Sequence, residues 1–254
     1  MTPEEKYIFD LTGYLVVKGA LSRDEVDALN RVADEAFPYD KKGSEGEFSL
    51  LSWGKPFKDL IDHPNMLPYL IELIGPTVRL DHDYCIFMNK GEKRGGLHGG
   101  IGGDHWYRYR NGELRNGLTV MIYFLTDGPA GTGGFACVPG SHKSNFSTVV
   151  IPDEVRSFEV DRPYVVQPEV EAGDVLIFTE ALVHGTMDWT AEHERRSLLY
   201  KYSAGHSSWA LNWYDFDLGE LTPQQERLLA PPSMQGHRPV VEEQVSEKNP
   251  DIRN

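Results

Sequence analysis

Two of the nine histidines of this 254-residue chain, His98 and His184, stand out by their sequence context. His98 lies in a segment that holds seven glycines between residues 91 and 103. Glycine costs conformational entropy on folding, but it permits tight turns and a close approach of the backbone to a ligand. His184 comes shortly after residues 172–178, a turn that leads into an apolar strand. The glycine-rich segment could be a plain surface loop, but with a candidate metal ligand inside it we predict a mobile lid over a site.

The residues in and after this segment carry a local excess of positive charge. Residues 90–115 include six lysines and arginines against three acidic residues, in a chain whose net charge is −14. Such an island would attract an anionic substrate. Aromatic and basic side chains alternate within it, at Trp106, Tyr107, Arg108 and Arg110. This order suits stacking on a planar substrate with an anionic group, and it equally suits ordinary strand aromatics, so both interpretations stay open.

The elements that must position these residues are helices first and short strands afterwards. A Ser-x-x-Glu capping box at Ser22 predicts a helix that ends at Pro38, a second helix is predicted near 65–73, and a Thr-Pro cap at Thr222 predicts a third. Apolar runs bounded by turn residues predict strands at 13–17, 78–88, 118–125, 134–138, 164–166, 174–178 and 197–202. In the run at 118–125, we expect Thr119, Met121 and Tyr123 to face the interior of a barrel.

This order of elements predicts a mainly β fold, a jelly-roll sandwich or barrel with N-terminal helices and a short C-terminal helical arm. The length of the chain fits a single domain. Within it we expect residues 1–77 to form a helical flank, 78–215 the jelly-roll core and 216–254 the C-terminal arm.

Composition and charge exclude several classes of protein. A net charge of −14 argues against polymeric nucleic acid as a partner, because that would need a basic surface. No run approaches 18 apolar residues, so no membrane span is predicted, and the acidic start lacks the apolar core of a secretory signal. Cys85 and Cys137 form no C-x-x-C pattern and are interpreted as small buried hydrophobes. We therefore expect a cytoplasmic protein that acts on a small-molecule substrate.

Several motifs together make the chain resemble the phytanoyl-CoA dioxygenase family of iron(II)- and 2-oxoglutarate-dependent enzymes. They are Asp-Leu-Thr-Gly-Tyr-Leu-Val at 10–16, Leu-Thr-Asp at 125–127, Gly-Gly-Phe at 133–135, Val-Pro-Gly-Ser-His-Lys at 138–143 and Ala-Gly-Asp at 172–174. An arginine also follows His184 by eleven residues. The resemblance covers most of the chain. It implies the double-stranded β-helix, a cupin-like form of the jelly roll, with iron(II), 2-oxoglutarate and O2 as cofactors.

The same resemblance assigns roles to four side chains. His98 and His184 would hold the iron, and Arg195 with Thr186 would bind the far carboxylate of 2-oxoglutarate. The planar fork of an arginine matches a carboxylate with two hydrogen bonds. Arg196 would replace Arg195 if the register of that strand differed by one residue. The reaction would convert O2 and 2-oxoglutarate into CO2 and succinate and remove hydrogen from an unactivated carbon.

The sequence departs from the family at the third iron ligand. The family pattern places a carboxylate two residues after the first histidine, but none of the nine histidines has one there, and the residue two after His98 is Gly100. Similar halogenases carry Gly or Ala at this place and bind a halide instead. The resemblance therefore favours a halogenase that holds chloride beside Gly100 and forms a carbon–chlorine bond.

Two other functions remain open. A hydroxylase could take its carboxylate from elsewhere, with Asp104, Asp81 and Asp83 as candidates. A jelly roll without metal could bind a ligand or partner. We expect a small anionic substrate, and similar halogenases suggest a nucleoside phosphate such as an adenine deoxynucleotide. A substrate tethered to a carrier protein is the alternative.

Overall fold

The computed structural model describes residues 1–37, 49–103, 105–211, 214 and 216–241. Its helices are α1 (Pro3–Thr12), α2 (Arg23–Ala36), α3 (Lys55–Lys58), α4 (Leu67–Leu73), α5 (Asp153–Arg156) and α6 (Pro223–Leu228). Its strands are β1 (Tyr14–Val17), β2 (Val78–Met88), β3 (Tyr107–Arg110), β4 (Glu113–Asn116), β5 (Thr119–Phe124), β6 (Gly134–Cys137), β7 (Val175–Thr179), β8 (His184–Met187) and β9 (Arg195–Ala204). The longest described helix, α2, has 14 residues, and none of the described helices combines the length and apolarity that a membrane span needs.

The predicted helices begin at their capping residues. Ser22 accepts a hydrogen bond from the backbone N–H of Glu25, whose side chain accepts one from the backbone of Ser22, and α2 follows. Thr222 forms the same box before α6. A third box on Thr2 starts α1, a helix that the sequence patterns above do not predict. Capping residues satisfy the free N–H groups of a first helical turn, so they fix where these helices start.

The strands pair in antiparallel fashion in three sheets. Five strands form one sheet in the order β1-β7-β5-β9-β2, while β6 pairs with β8 and β3 with β4. The strand predicted at 78–88 coincides with β2, and the mainly β expectation is confirmed. The strand predicted at 164–166 is wrong, because that segment makes only an isolated bridge from Val166 to Cys137 beside the β6–β8 pair.

The five-stranded sheet separates two apolar cores, because side chains alternate between the two faces of a strand. On one face, β5, β7 and β9 pack against the β6–β8 pair, through Val120, Ile122, Phe178, Leu199, Phe135 and Cys137. On the other face, the same strands pack against α1–α4, through Met121, Tyr123, Ile177, Leu198 and Tyr200. We call the first of these the inner face and the second the helix face.

The expected orientation of β5 is wrong. Met121 and Tyr123 lie on the helix face, where the Tyr123 hydroxyl donates a hydrogen bond to the carbonyl of Leu60 at 3.0 Å. Val120 and Ile122 are the residues that face β6–β8. Every residue of β5 is buried, so the strand is apolar on both sides and its sequence cannot indicate which side faces which layer.

The described part of the predicted C-terminal arm packs on the core. The backbone N–H of Val240 donates to the carbonyl of Pro76 at 2.9 Å, and the Val240 side chain is only 1% exposed. Gln225 of α6 donates to the carbonyl of Lys58 at 3.1 Å. Residues 242–254 of that prediction lie outside the described residues.

Candidate functional site

The structure brings His98 and His184 side by side, although they are 86 residues apart in the chain. The backbone N–H of each donates to the carbonyl of the other, at 2.8 and 2.9 Å. This bridge joins the glycine-rich segment to the first residue of β8, and the centroids of the two imidazole rings are 4.5 Å apart. The two side chains can therefore contribute to one site.

Each imidazole is oriented by a hydrogen bond at Nδ1. The Nδ1 of His184 lies 2.8 Å from the carbonyl oxygen of Leu182, and the Nδ1 of His98 lies 2.8 Å from that of Gly96. A carbonyl can only accept, so Nδ1 carries the proton and Nε2 of the neutral ring keeps a lone pair. Burial lowers the pKa of His184 to about 4, so this ring is neutral at pH 7. Metal-binding histidines are oriented in the same way.

Aromatic rings enclose His184 on the inner face. The ring centroid of Phe178 lies 4.6 Å from that of His184, and that of Phe135 lies 6.1 Å away. His184 itself is 6% exposed. An apolar shell of this kind limits the access of solvent to a bound ion.

A buried ion pair adjoins the same imidazole. Glu180 is 4% exposed, and its Oε1 lies 2.7 Å from Nζ of Lys201 on β9. Its Oε2 lies 3.7 Å from Nε2 of His184. Burial alone would raise the pKa of Glu180, but His184 and Lys201 outweigh that effect and lower the pKa to about 2. The sequence patterns above do not single out Glu180. The signal that could have indicated it is the presence of one acidic residue in the otherwise mostly apolar run 175–184.

Arg195 lies on the inner face of β9, together with Leu199 and Lys201, because residues two apart share a face. Its guanidinium is buried and donates to Sδ of Met88 at 3.9 Å. Burial and the nearby Arg94 lower the pKa of Arg195 to about 10, and no carboxylate in the described part of the chain forms an ion pair with it. A cationic side chain so placed suits an anionic ligand.

Arg196 lies on the helix face and is already paired. Its guanidinium is 2.7 Å from Asp34 of α2 and 2.8 Å from Glu194, and it lies 5.4 Å from the ring centroid of Phe87. The structure thus directs Arg195, and not Arg196, toward the β6–β8 pair.

Gly134 and Thr186 complete this side of the site. A Cβ on Gly134 would lie 2.9 Å from Nε of Arg195, so this glycine leaves room for the guanidinium against β6. Thr186 stands opposite Phe135 in the β6–β8 pair, two residues after His184. It therefore shares the inner face with His184, as its predicted role requires.

The backbone at Gly99 and Gly100 adopts left-handed conformations, with φ of +84° and +98°. A Cβ on Gly99 would lie 2.7 Å from the carbonyl oxygen of Leu182, and a Cβ on Gly100 would lie 3.1 Å from Oγ1 of Thr148. Thr148 in turn donates to the carbonyl of Gly99 at 2.6 Å. Backbone conformation and close packing thus account for both glycines.

The alternative ligands Asp81 and Asp83 are wrong for this structure. Asp81 accepts from the backbone N–H groups of Trp209 and Ala210, each at 2.9 Å. Asp83 accepts from Ser49 at 2.9 Å and from the hydroxyl of Tyr214. These bonds tie both carboxylates to segments away from the imidazole pair.

Asp104, the third alternative ligand, lies outside the described residues. Among the residues that the structure describes, no three His, Cys, Asp or Glu side chains are already grouped to hold a metal ion. Cys85 and Cys137 form no disulfide and are buried, as the sequence predicted, and each lies in a different core.

The predicted substrate residues lie on and beside the β3–β4 hairpin. The hydroxyl of Tyr107 donates to Asp10 of α1, and the Tyr107 ring packs edge-on against His142. Arg108 lies 5.8 Å from the ring centroid of Trp106, and Arg110 is exposed at the end of β3. These contacts hold the hairpin against α1, so a role for these residues in substrate binding stays a prediction.

Solved structures share this fold. HygX from Streptomyces hygroscopicus, with nickel and 2-oxoglutarate bound, aligns with a TM-score of 0.72 at 25% identity, covering 82% of this chain and 89% of that chain. HygX with iron bound gives the same TM-score, identity and coverage. AviO1 from Streptomyces viridochromogenes Tue57 aligns with a TM-score of 0.60 at 18% identity, over 79% of this chain and 93% of that chain, and shows likeness of fold alone. No curated protein matches the sequence at a significant level.

The sequence match to a family extends from the end of α1 to β9. Residues 9–197 fit the family model described as phytanoyl-CoA dioxygenase. The matched region contains both bridged histidines, Glu180 and the buried Arg195. The chain therefore belongs to the phytanoyl-CoA dioxygenase family of iron- and 2-oxoglutarate-dependent oxygenases.

Proposed function

We propose that this protein binds iron(II) and 2-oxoglutarate and hydroxylates an unactivated carbon of a small molecule. One observation carries the proposal. Arg195, a buried guanidinium with no carboxylate partner among the described residues, shares the inner face with the two bridged imidazoles. We further propose that the five-stranded sheet and the β6–β8 pair are the two halves of a double-stranded β-helix.

The donor set fits iron(II). Two imidazoles, each oriented through Nδ1, can offer Nε2 lone pairs to one ion, and imidazole is a common ligand of iron. The guanidinium of Arg195 supplies the planar fork that a dicarboxylate needs at its far end. Thr186, on the same face as His184, would add a hydroxyl to that carboxylate.

The solved relatives support both cofactors. HygX binds iron in one crystal structure, and nickel with 2-oxoglutarate in another. The alignment with HygX, at 25% identity, covers 82% of this chain. We infer that this chain binds the same two cofactors.

Bound iron and 2-oxoglutarate would supply an oxidant from O2, with succinate and CO2 as by-products. His98 and His184 would hold the ion at the bridge between the glycine-rich segment and β8. Arg195 would orient the oxo-acid, and Phe135 and Phe178 would exclude water from His184. The protein thus contributes binding, orientation and a dry surrounding, while the cofactors carry the chemistry.

Halogenation is the second candidate function, and the absence of a side chain at Gly100 favours it. A chloride ion could then take the place of the carboxylate. We rank it below hydroxylation because the φ of +98° and the contact with Thr148 already account for a glycine at this position. The proposed substrate is a small molecule in either case, with a nucleoside phosphate or a carrier-tethered compound as specific possibilities.

Turnover of 2-oxoglutarate tests the proposal without knowledge of the substrate. The purified protein, incubated with iron(II), ascorbate, O2 and 2-oxoglutarate, should release succinate slowly in the absence of a substrate. His184→Ala should abolish this release because it removes an iron ligand. His206→Ala, which changes an exposed histidine, is the matched control and should leave the rate unchanged.

The reaction products separate the two candidate functions. Nucleoside phosphates and other small anions are supplied with and without chloride, and the products are weighed by mass spectrometry. A gain of one oxygen that is independent of chloride supports hydroxylation. A chlorine isotope pattern that requires chloride supports halogenation instead, and no succinate under any condition would overturn the proposed function.

A further inference from the structure

In the described part of the segment that carries His98, the two residues that follow it are Gly99 and Gly100, which have no side chain to complete a metal site. Iron centres of this class use two histidines and one carboxylate. Gly99 and Gly100 have left-handed backbone conformations and pack within 3.1 Å of neighbouring atoms at their Cβ positions. The two residues after His98 therefore supply no carboxylate, and among the described residues a ligand can be sought on another element.

Glu180 reaches the same imidazole from the connection between β7 and β8. Its backbone N–H donates to the carbonyl of Leu118 at 2.9 Å, and the N–H of Leu182 donates to the carbonyl of Thr179 at 2.8 Å. These bonds define a tight turn that points the Glu180 side chain back toward His184. Its Oε2 then lies 3.7 Å from Nε2 of His184.

The two facing atoms are both acceptors. The Nδ1–H of His184 donates a hydrogen bond to the carbonyl of Leu182, so Nε2 presents a lone pair toward the carboxylate oxygen. A separation of 3.7 Å is too long for a direct hydrogen bond. Two acceptor atoms that face each other at this distance repel unless a cation or a water lies between them.

Lys201 forms its ion pair with only one of the two carboxylate oxygens of Glu180. Its Nζ lies 2.7 Å from Oε1, and Lys201 is itself held near Tyr84, with Nζ 5.3 Å from the centre of that ring. This pairing stabilises the charge of Glu180 in the apolar interior and leaves Oε2 directed at the imidazole. An ion pair with Lys201 alone would not require Oε2 of Glu180 to point toward His184.

We propose that Glu180 is the carboxylate ligand of the metal, in place of the residue two after His98. This inference rests on the proposed function, because it assumes that His98 and His184 bind iron. Neighbouring donor atoms on an octahedral ion with bonds of about 2.1 Å are about 3 Å apart. The separation of 3.7 Å between Oε2 of Glu180 and Nε2 of His184 is within about 1 Å of this value, and rotation of the Glu180 side chain can close that difference. Lys201 would then balance and orient the ligand.

Binding of cobalt(II), a spectroscopic substitute for iron, tests the inference apart from catalysis. Glu180→Gln keeps the shape of the side chain but removes its charge, so it should weaken cobalt affinity by about 100-fold or more and change the visible absorption of the bound ion. Glu180→Asp should recover part of the affinity. Asp83→Asn, which changes a buried carboxylate on the helix face, is the matched control and should bind cobalt like the parent protein.

A second variant guards against misfolding, because Glu180→Gln leaves Lys201 buried without its partner. The double variant Glu180→Gln/Lys201→Met removes both charges and should fold, yet bind cobalt as weakly as the single variant. Parental affinity and an unchanged spectrum in both variants would overturn the role of Glu180 while the proposed function stands. If the parent protein itself binds neither cobalt nor 2-oxoglutarate, the proposed function fails instead.

Discussion

At the scale of single residues, the adjacent arginines of β9 show how environment separates two identical side chains. Arg196 has carboxylate partners at 2.7 and 2.8 Å, whereas Arg195 is buried against Met88 and Gly134. A buried charge without an opposite charge costs folding free energy. Without an anionic ligand, the buried charge of Arg195 therefore lowers the stability of the fold. A bound dicarboxylate would supply the opposite charge.

Arg195→Met should weaken the binding of 2-oxoglutarate, measured calorimetrically in the presence of nickel, by about 30-fold or more, which corresponds to about 2 kcal/mol. Without 2-oxoglutarate, the same variant should match or exceed the stability of the parent, because it removes an unpaired buried charge. Arg196→Met is the matched control and should lower stability while 2-oxoglutarate still binds. Equal affinity in the parent and in Arg195→Met would rule out Arg195 as the anchor.

At the scale of elements, the short 3-10 turn Ser141–Lys143 fastens α1 to the sheets. His142 in this turn is fully buried, its Nε2 lies 3.1 Å from the carbonyl oxygen of Asp10, and its ring packs against Tyr107 of β3. Burial and the neighbouring Lys143 lower the pKa of His142 to about 4. A charged imidazole is thus poorly tolerated where α1, β1 and β3 meet.

This predicts how stability depends on pH. The unfolded chain protonates His142 near pH 6.5 but the folded chain only near pH 4, so stability is full above pH 6.5 and falls as the pH drops through this interval. Between pH 7 and pH 5, His142 should account for a loss of up to about 2 kcal/mol in the free energy of unfolding. Urea unfolding of His142→Gln should show a shallower dependence on pH than the parent, and His206→Gln should not. Identical slopes in all three proteins would contradict this assignment.

At the scale of the whole molecule, the site is assembled from separate layers. His98 comes from the glycine-rich segment, His184 and Thr186 from the β6–β8 pair, and Arg195 and Lys201 from the five-stranded sheet. A ligand that contacts all of them would tie these layers together. Since it would bind the folded chain and not the unfolded one, it should stabilise the fold.

Nickel and 2-oxoglutarate together should raise the melting temperature. At about 100 times the dissociation constant, binding adds about 2.7 kcal/mol, which for a domain of this size is roughly 5–10 °C. Thermal scans with nickel and 2-oxoglutarate, then with added EDTA, should show a rise and its reversal. Succinate in place of 2-oxoglutarate, or the variant His184→Ala, should give a smaller rise. A melting temperature indifferent to both ligands would speak against a shared site.

The local sequence determined the elements and several of the residues that matter. Capping boxes at Ser22 and Thr222 set the starts of α2 and α6, and β-branched runs indicated most of the strands, because these signals act between residues a few positions apart. Family motifs pointed to His98, His184 and Arg195. The structure bridges the two histidines and places Arg195 on the inner face of β9, while their roles as ligands stay a prediction.

Only the tertiary structure decided which faces and which neighbours these residues have. The orientation of β5 depends on the layers packed against it. Because both faces of this strand are buried, its sequence does not indicate which face packs against which layer. Glu180 was missed, and Asp81 and Asp83 were kept as alternative carboxylate ligands, because sequence spacing cannot show that the turn after β7 brings a carboxylate near His184. Pairing between distant segments is fixed by the packing of the whole chain, so the chemistry at Nε2 of His184 could be read only from the folded molecule.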